Sequence, residues 1–354
     1  MKIAIHHRPG SFSDRWIEYC QEKGIPYILV DARSASIIEE IKSCSAFLWH
    51  WSHKDFDASL MARQLLRSVE ELGIPVYPNS NTCWHFDDKI GQKYLLEAIE
   101  APLAPSWVFF SEASALEWIN STSFPKVFKL RKGAGSKNVR LIKSKKEAEK
   151  LTRTMFDKGI DAIPTLARDW QSEVSRVKKK DGSLLNTLLR APGILRRLPG
   201  TLHEERKKST SFGREKGYIY FQEFMPANKH DTRITVVGDK AFSFTRDVRE
   251  GDFRASGSGI IDYAPERIDK AFLRIAFSIS RRLGLQSCAM DFIYDPHGNP
   301  VLVEISYGFS HAAINNCPGY WTKELVWMES HFRLQDLILE NLLEDSRSRF
   351  GGCY

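Results

Sequence analysis

The run Cys288-Ala-Met-Asp-Phe-Ile-Tyr-Asp295, the link Pro296-His-Gly-Asn299 and the run Val301-Leu-Val-Glu-Ile-Ser306 decide how this chain is read. Both runs alternate apolar and polar residues, the period of a strand with one buried face. The link between them is turn chemistry, so the pair predicts a hairpin. A register symmetric about His297 and Gly298 sets Asp291 opposite Glu304. Facing carboxylates destabilise a sheet. A bound cation removes the conflict, and paired carboxylates suit a hard ion such as Mg²⁺. The competing reading is a solvent-facing hairpin with scattered charges.

The chain has 354 residues, enough for two or three domains with sizeable cores. Its hydrophobic share of 42% with 12% aromatics is ordinary for a globular protein. A net charge of +7 favours anionic partners without naming one. Cys20, Cys44, Cys83, Cys288, Cys317 and Cys353 are scattered, with no C-x-x-C or Cys/His spacing for zinc. Reduced thiols in a cytoplasmic protein are the expectation. The opening Met1-Lys-Ile-Ala-Ile-His6 reads as a strand, too short for a signal peptide, and no apolar run of about 18 residues suggests a membrane span.

Strands alternate with helices over residues 1–80, which predicts a small parallel sheet covered on both faces. A helix is expected over 87–99 with Asp87 or Asp88 at its N-cap, and another over 144–156, where Ser144 and Glu147 form a capping-box pattern. Residues 168–216 carry roughly twice as many Lys and Arg as Asp and Glu, either a solvated insertion or a basic arm for a polyanion or an anionic membrane surface. Gly238-Asp239 joins two strands as a hairpin, a long helix is expected over 265–283, and a closing helix over 329–343. The expected divisions are residues 1–85, an α/β domain; 86–217, a small subdomain with the glycine loop and the basic insertion; 218–345, a subdomain with the metal site; and a tail, 346–354.

Phe124-Pro-Lys-Val-Phe-Lys-Leu130 runs into Arg131-Lys-Gly-Ala-Gly-Ser-Lys-Asn138, a strand ending in lysine and then a small-residue loop. Glycines let backbone N–H groups approach an anion, and lysine adds a point charge for phosphate. It is not a P-loop, and a plain hairpin loop has the same composition. Tyr220-Phe-Gln-Glu-Phe-Met-Pro226 is a strand meeting a proline stop; Asp231-Thr-Arg233 opens the next strand; and Arg249-Glu-Gly-Asp-Phe-Arg254 precedes Ala-Ser-Gly-Ser-Gly259. Arginines beside flexible glycines suit a transferring phosphoryl group, and equally suit a mobile surface loop.

Taken in order, these pieces resemble the ATP-grasp superfamily, and within it the RimK-like carboxylate–amine ligases, over about residues 86–310. The resemblance implies an α/β (α+β) ATP-grasp fold preceded by a small parallel-sheet pre-ATP-grasp domain. It implies ATP and Mg²⁺ as cofactors, with Mn²⁺ as a substitute. Lys89 and Lys129 match lysines that bind the nucleotide, and Gly133, Ala134, Gly135 and Ser136 match the phosphate-covering loop. Gln222, Glu223, Phe224 and Met225 match the hinge whose backbone reads adenine, and Asp231 falls where a polar residue meets the ribose. Arg233 and Arg254 match the arginines that act on the phosphoryl group. Asp291 and Glu304 match the magnesium carboxylates, with Ser306 in the third position where the family has asparagine. Lys137-Asn138 stands where another glycine is common, and the basic insertion is longer than the usual lid.

The implied reaction activates a carboxylate as an acyl-phosphate and joins it to an amine, with ADP and phosphate released. An ATP-grasp kinase and a non-catalytic nucleotide-binding module are the alternatives. The expected partners are a small-molecule or glycan-linked carboxylate, which the basic insertion favours as anionic, and an amine acceptor, without nucleic acid; a dimer is compatible. Two aromatic clusters are candidates for acceptor recognition or for packing: Trp49-His-Trp-Ser-His53, and Tyr307-Gly-Phe-Ser-His311 with Asn315-Asn-Cys-Pro-Gly-Tyr-Trp321.

Overall fold

The computed structural model describes residues 2–133, 138–161, 213–248 and 260–350, with side chains to 348. Ala134, Gly135, Ser136, Arg254, most of the basic insertion and the last four residues lie outside them. The chain divides into two compact units, one of residues 1–104 and 225–354, the other of residues 105–224. These divisions fall at 104/105 and 224/225, where the sequence reading drew lines after 85 and 217.

The first unit opens with β1 (Ile3–His6), β2 (Tyr27–Val30), β3 (Ala46–Leu48) and β4 (Val76–Tyr77), a parallel sheet in the order β2-β1-β3-β4. Its helices start and stop on local chemistry. Ser11 caps helix Phe12–Lys23 by accepting from Ser13 N, and Gly24 ends it at φ 64°. Asp55 caps Phe56–Glu71 and Asp88 caps Lys89–Ala98 in the same way.

In the other unit, β5 (Ser106–Phe109), β6 (Lys126–Lys129), β7 (Val139–Ile142) and β10 (Ile219–Glu223) form an antiparallel sheet in the order β5-β10-β6-β7. The short strands β8 (Ile160–Asp161) and β9 (Arg214–Glu215) pair with each other. Trp118, on helix Glu112–Ser121, packs on Trp107, Phe109 and Phe221 with ring centroids 5.0, 5.3 and 5.3 Å away.

The large sheet belongs to the first unit. It runs β15 (Pro300–Ser306), β14 (Ser287–Tyr294), β11 (His230–Val237), β12 (Lys240–Asp247), β16 (Gly319–Thr322), β17 (Trp327–Glu329), and β13 (Ile261–Asp262) pairs with β12. One face presents Ile234, Val236, Met290, Phe292, Leu302 and Ile305 to helix Lys270–Leu283. Each such fully buried side chain contributes roughly 1.5–3 kcal/mol. The other face is covered along part of its length, at Val237, Phe242, Phe244 and Ala289, by the core of the N-terminal sheet.

Three expectations are corrected. The span 265–283 is not one helix: Pro265–Arg267 is a 3₁₀ turn, Ile268 is extended, and Asp269 starts a new helix by accepting from Ala271 N. The closing helix begins at Leu334, not 329, because Trp327–Glu329 is a strand whose Trp327 ring meets Trp321 at 5.2 Å. The same helix runs on to Phe350, into the expected tail of 346–354.

Candidate functional site

The hairpin pairs Asp291 with Glu304, as expected, but not by the expected symmetry. Tyr294 pairs with Pro300, which centres the turn on His297, and Phe292 pairs with Leu302. The step from Phe292↔Leu302 to Asp291↔Glu304 leaves Val303 without an opposite number, a β-bulge. Leu302 and Ile305 both enter the helix-covered core, so Val303 and Glu304 between them both lie off that face. The bulge thereby brings Glu304 to the same face as Asp291. Ser306, opposite Ala289, follows on that face, and its Oγ accepts from Gly308 N at 3.1 Å.

Three more charged residues share this face by register: Asp231 opposite Arg246, and Arg233 opposite Asp291. Arg233 donates from Nε and Nη2 to the two Asp291 oxygens at 2.7 and 2.8 Å. Arg246 donates to both Asp231 oxygens at 2.7 and 2.5 Å, and its Nη2 also lies 2.9 Å from Asp291 Oδ2. Lys89, at the first turn of its helix and 7% exposed, places Nζ 3.4 Å from Glu304 Oε1. Three acids and three bases therefore form one cluster whose formal charges cancel.

Burial opposes ionisation of Asp291, but Arg233 and Arg246 outweigh it and hold this carboxyl well below the usual carboxylate range. Burial and the neighbouring Asp291 carboxylate push Asp231 up to about 6 against the pull of Arg246. The pair thus keeps Asp291 as the anion. Its partner across the ladder, Glu304, is a third exposed. Two facing carboxylates with a hydroxyl beside them are an all-oxygen donor set, which fits a hard divalent ion. Among the described residues no group of three or more His, Cys, Asp or Glu is placed to hold a metal ion, so the donor set here is two carboxylates and a hydroxyl.

In the other unit, the lysine strand and the hinge lie side by side, since β6 pairs with β10. Lys129 is 6% exposed at the end of β6. Lys126, opposite Glu223, donates to its carboxylate at 2.7 and 3.0 Å, with Nζ 5.4 Å from the centre of the Trp107 ring. Gln222 donates to Ser106 Oγ at 3.1 Å, and Glu223 N to Pro105 O at 2.8 Å. The glycine loop leaves β6 through Gly133, at φ 116°, a conformation only glycine adopts readily. A Cβ there would lie 2.5 Å from Asn138 Nδ2. Asn138, read as a departure from the family pattern, closes the loop base: its Nδ2 donates to Lys132 O at 3.2 Å.

Arg246 and Lys126 were not singled out from sequence. The hairpin turn at Gly238-Asp239 held the signal for Arg246, because pairing Val237 with Lys240 carries Asp231 to Arg246 six steps on. Nothing local pointed to Lys126, whose partner is remote in sequence.

The two aromatic clusters converge. Tyr307 donates from its hydroxyl to Trp51 O at 2.7 Å, and Phe86 packs on Tyr307 and Trp51 at 4.5 and 4.9 Å. Trp49, Trp51 and Tyr307 are at most 1% exposed, so these rings are packing. Asn315 is likewise structural, bonded to Gln335 Oε1 and Leu334 N at 3.1 and 3.0 Å. The packing is tight at Gly308, where a Cβ would meet Phe86 Cζ at 2.4 Å. Gly308→Ala is expected to cost about 1–3 kcal/mol, read as a lower urea midpoint, because Phe86 is buried against Trp51, His53 and Tyr307 and must shift to admit the methyl group.

Residues 172–315 match the family model of the RimK-like ATP-grasp domain. No curated protein matches the sequence. Among solved structures, the chain is similar to a RimK domain ATP-grasp protein from Sphaerobacter thermophilus, at 16% identity and TM-score 0.54, covering 97% of this chain and 100% of that one. It is similar to D-alanine–D-alanine ligase from Bacillus anthracis, at 12% identity and TM-score 0.59, covering 98% and 99%. It is also similar to the ATP-grasp ligase PsnB, solved with a minimal precursor, Mg and ADP, at 12% identity and TM-score 0.54, covering 98% of each chain. The chain has the ATP-grasp fold, mixed α/β with a parallel N-terminal sheet.

Proposed function

We propose that this protein is an ATP-dependent ligase that activates a carboxylate as an acyl-phosphate and transfers the acyl group to an amine. The observation that supports this most is the pairing of Asp291 with Glu304 on one sheet face, flanked by Arg233, Arg246 and Lys89. Asp291, Glu304 and Ser306 would hold Mg²⁺, or Mn²⁺ in its place. The ion supplies charge neutralisation on the nucleotide phosphates when bound.

The chain's own residues do the rest. Lys89 and Lys129 offset phosphate charge, and the loop from Gly133 to Ser136 covers it with backbone N–H groups. The backbone of Gln222 to Met225 reads adenine; Lys126 holds the Glu223 side chain in place there. Asp231 stands near the ribose in the family pattern and here positions Arg246. Arg233, with Arg254 from outside the described residues, stabilises the charge that develops as a substrate carboxylate oxygen attacks the γ-phosphorus and ADP leaves. The amine then attacks the acyl carbon and phosphate departs. Both arginines and both carboxylates of the family pattern are retained, which favours an active enzyme over a binding module.

Trapping with hydroxylamine across a panel of carboxylic acids tests the reading. A ligase releases ADP and free phosphate and forms a hydroxamate only with a suitable acid. A kinase leaves the phosphate on one substrate, and a binding module turns nothing over. Either of these last outcomes overturns the proposal.

A further inference from the structure

The N-terminal sheet carries a second polar arrangement, which the proposed chemistry does not use. Two nitrogens at the carboxyl ends of β1 and β3, Arg8 Nε and His50 Nε2, are buried without a hydrogen-bond partner among the described residues. Ligands gather at this end of the strands in open α/β sheets.

Both atoms are donors. Phe12 N donates to His50 Nδ1 at 3.4 Å, so Nδ1 is the acceptor of the ring and the proton sits on Nε2. Burial, then the charges of Arg8 and His311, push His50 down to about 3, so the ring stays neutral and keeps that tautomer. Nε of a guanidinium can only donate. A buried donor left unmade is costly, and these two sit on side chains joined by a hydrogen bond from Arg8 to His50 O, so one anion could serve both.

Both side chains are held in place. The His50 ring stacks on Phe12 with centroids 3.7 Å apart and planes at 10°. Arg8 donates from Nη2 to His50 O at 3.4 Å, and its backbone N donates to Ser13 Oγ at 3.0 Å. His311 lies edge-on to the same Phe12 ring at 5.6 Å. The surroundings open to solvent: Arg8 and His311 are half-buried, and His7, Pro9, Gly10 and Ser310 are exposed.

We propose that Arg8 and His50, with His311 beside them, form a subsite for a carboxylate of the substrate, distinct from the carboxylate that is phosphorylated. An anion with two acceptor oxygens matches one charged and one neutral donor. The inference rests on the ligase reading for its role, but the subsite is testable without nucleotide. It narrows the substrates to a class: a dicarboxylate or acidic amino acid as the molecule activated, or an amino acid or peptide with a free C-terminus as the amine acceptor.

The test uses the full chain, free of nucleotide, with ¹⁵N signals of the Arg8 Nε–H and the His50 ring followed by NMR. Acetate, inorganic phosphate, methylammonium chloride and sodium chloride are titrated separately. Acetate is expected to move both signals, and the chloride salts neither. Arg8→Gln should weaken the acetate response at the His50 ring at least tenfold, and Arg8→Lys, which keeps the charge and loses the Nε–H, should weaken it less. A response to phosphate stronger than to acetate overturns the carboxylate assignment. No response to acetate, or an equal one to chloride, overturns the subsite. Failure of the ligase reading shows separately, as no ADP release in the hydroxylamine trap, and leaves the acetate result standing.

Discussion

Glu304→Gln is expected to lower ADP release by about 10²–10³-fold with the fold unchanged, and Asp291→Asn to lower it as far while destabilising the protein by about 3–5 kcal/mol. The two acids face each other across one ladder, yet their surroundings differ. Glu304 is a third exposed, with one cation, the buried Lys89, at 3.4 Å, so water screens this pair more than those of Asp291. Its removal costs chemistry and little else. Asp291 is 8% exposed and accepts from two arginines. Neutralising it strands guanidinium charge in a buried site. Coupled measurement of ADP release and urea midpoint separates the effects. Full turnover in Glu304→Gln would remove Glu304 from the proposed metal site.

Arg246→Met should destabilise the protein by about 3–5 kcal/mol, and Asp231→Asn placed on top of it should add far less than Asp231→Asn costs alone. Arg246 is 7% exposed and bonds both Asp231 oxygens, with Asp291 2.9 Å away. Without it, Asp231 and Asp291 are left as neighbouring carboxylates with only Arg233 to compensate. With Asp231 also neutralised, one of those buried charges is gone, so the two changes do not add. A double-mutant cycle in urea measures the coupling. Strict additivity would mean that Arg246 and Asp231 act independently, against the geometry.

Local chemistry explains what was legible in the sequence. The parallel sheet at the start was readable because each strand is a short apolar run between helices with clear caps, such as Ser11 before Phe12 and Gly24 after Lys23. The two acids were readable because alternation placed them on strands and a turn joined the strands. Their pairing was reached by compensating departures: the turn is centred on His297 alone, and the bulge at Val303 supplies the residue that the symmetric register assumed. Burial and turn chemistry carry no direct record of such a bulge. The Arg233–Asp291 and Lys126–Glu223 pairs were hidden for another reason: they join strands that no turn connects, so register between them is set by tertiary packing. The aromatic clusters looked equally suited to a pocket or a core; burial places Trp49, Trp51 and Tyr307 in the core, while His50 and His311 of the same clusters carry the proposed subsite.

The bulge also bears on comparison with distant relatives. In an alignment against a hairpin one residue shorter, the gap belongs at Val303 and not among residues 295–299. Placed in the turn, it would leave Glu304 and Ser306 in their columns but slide Val301 and Leu302 by one, setting a core-facing leucine against a residue of the opposite face.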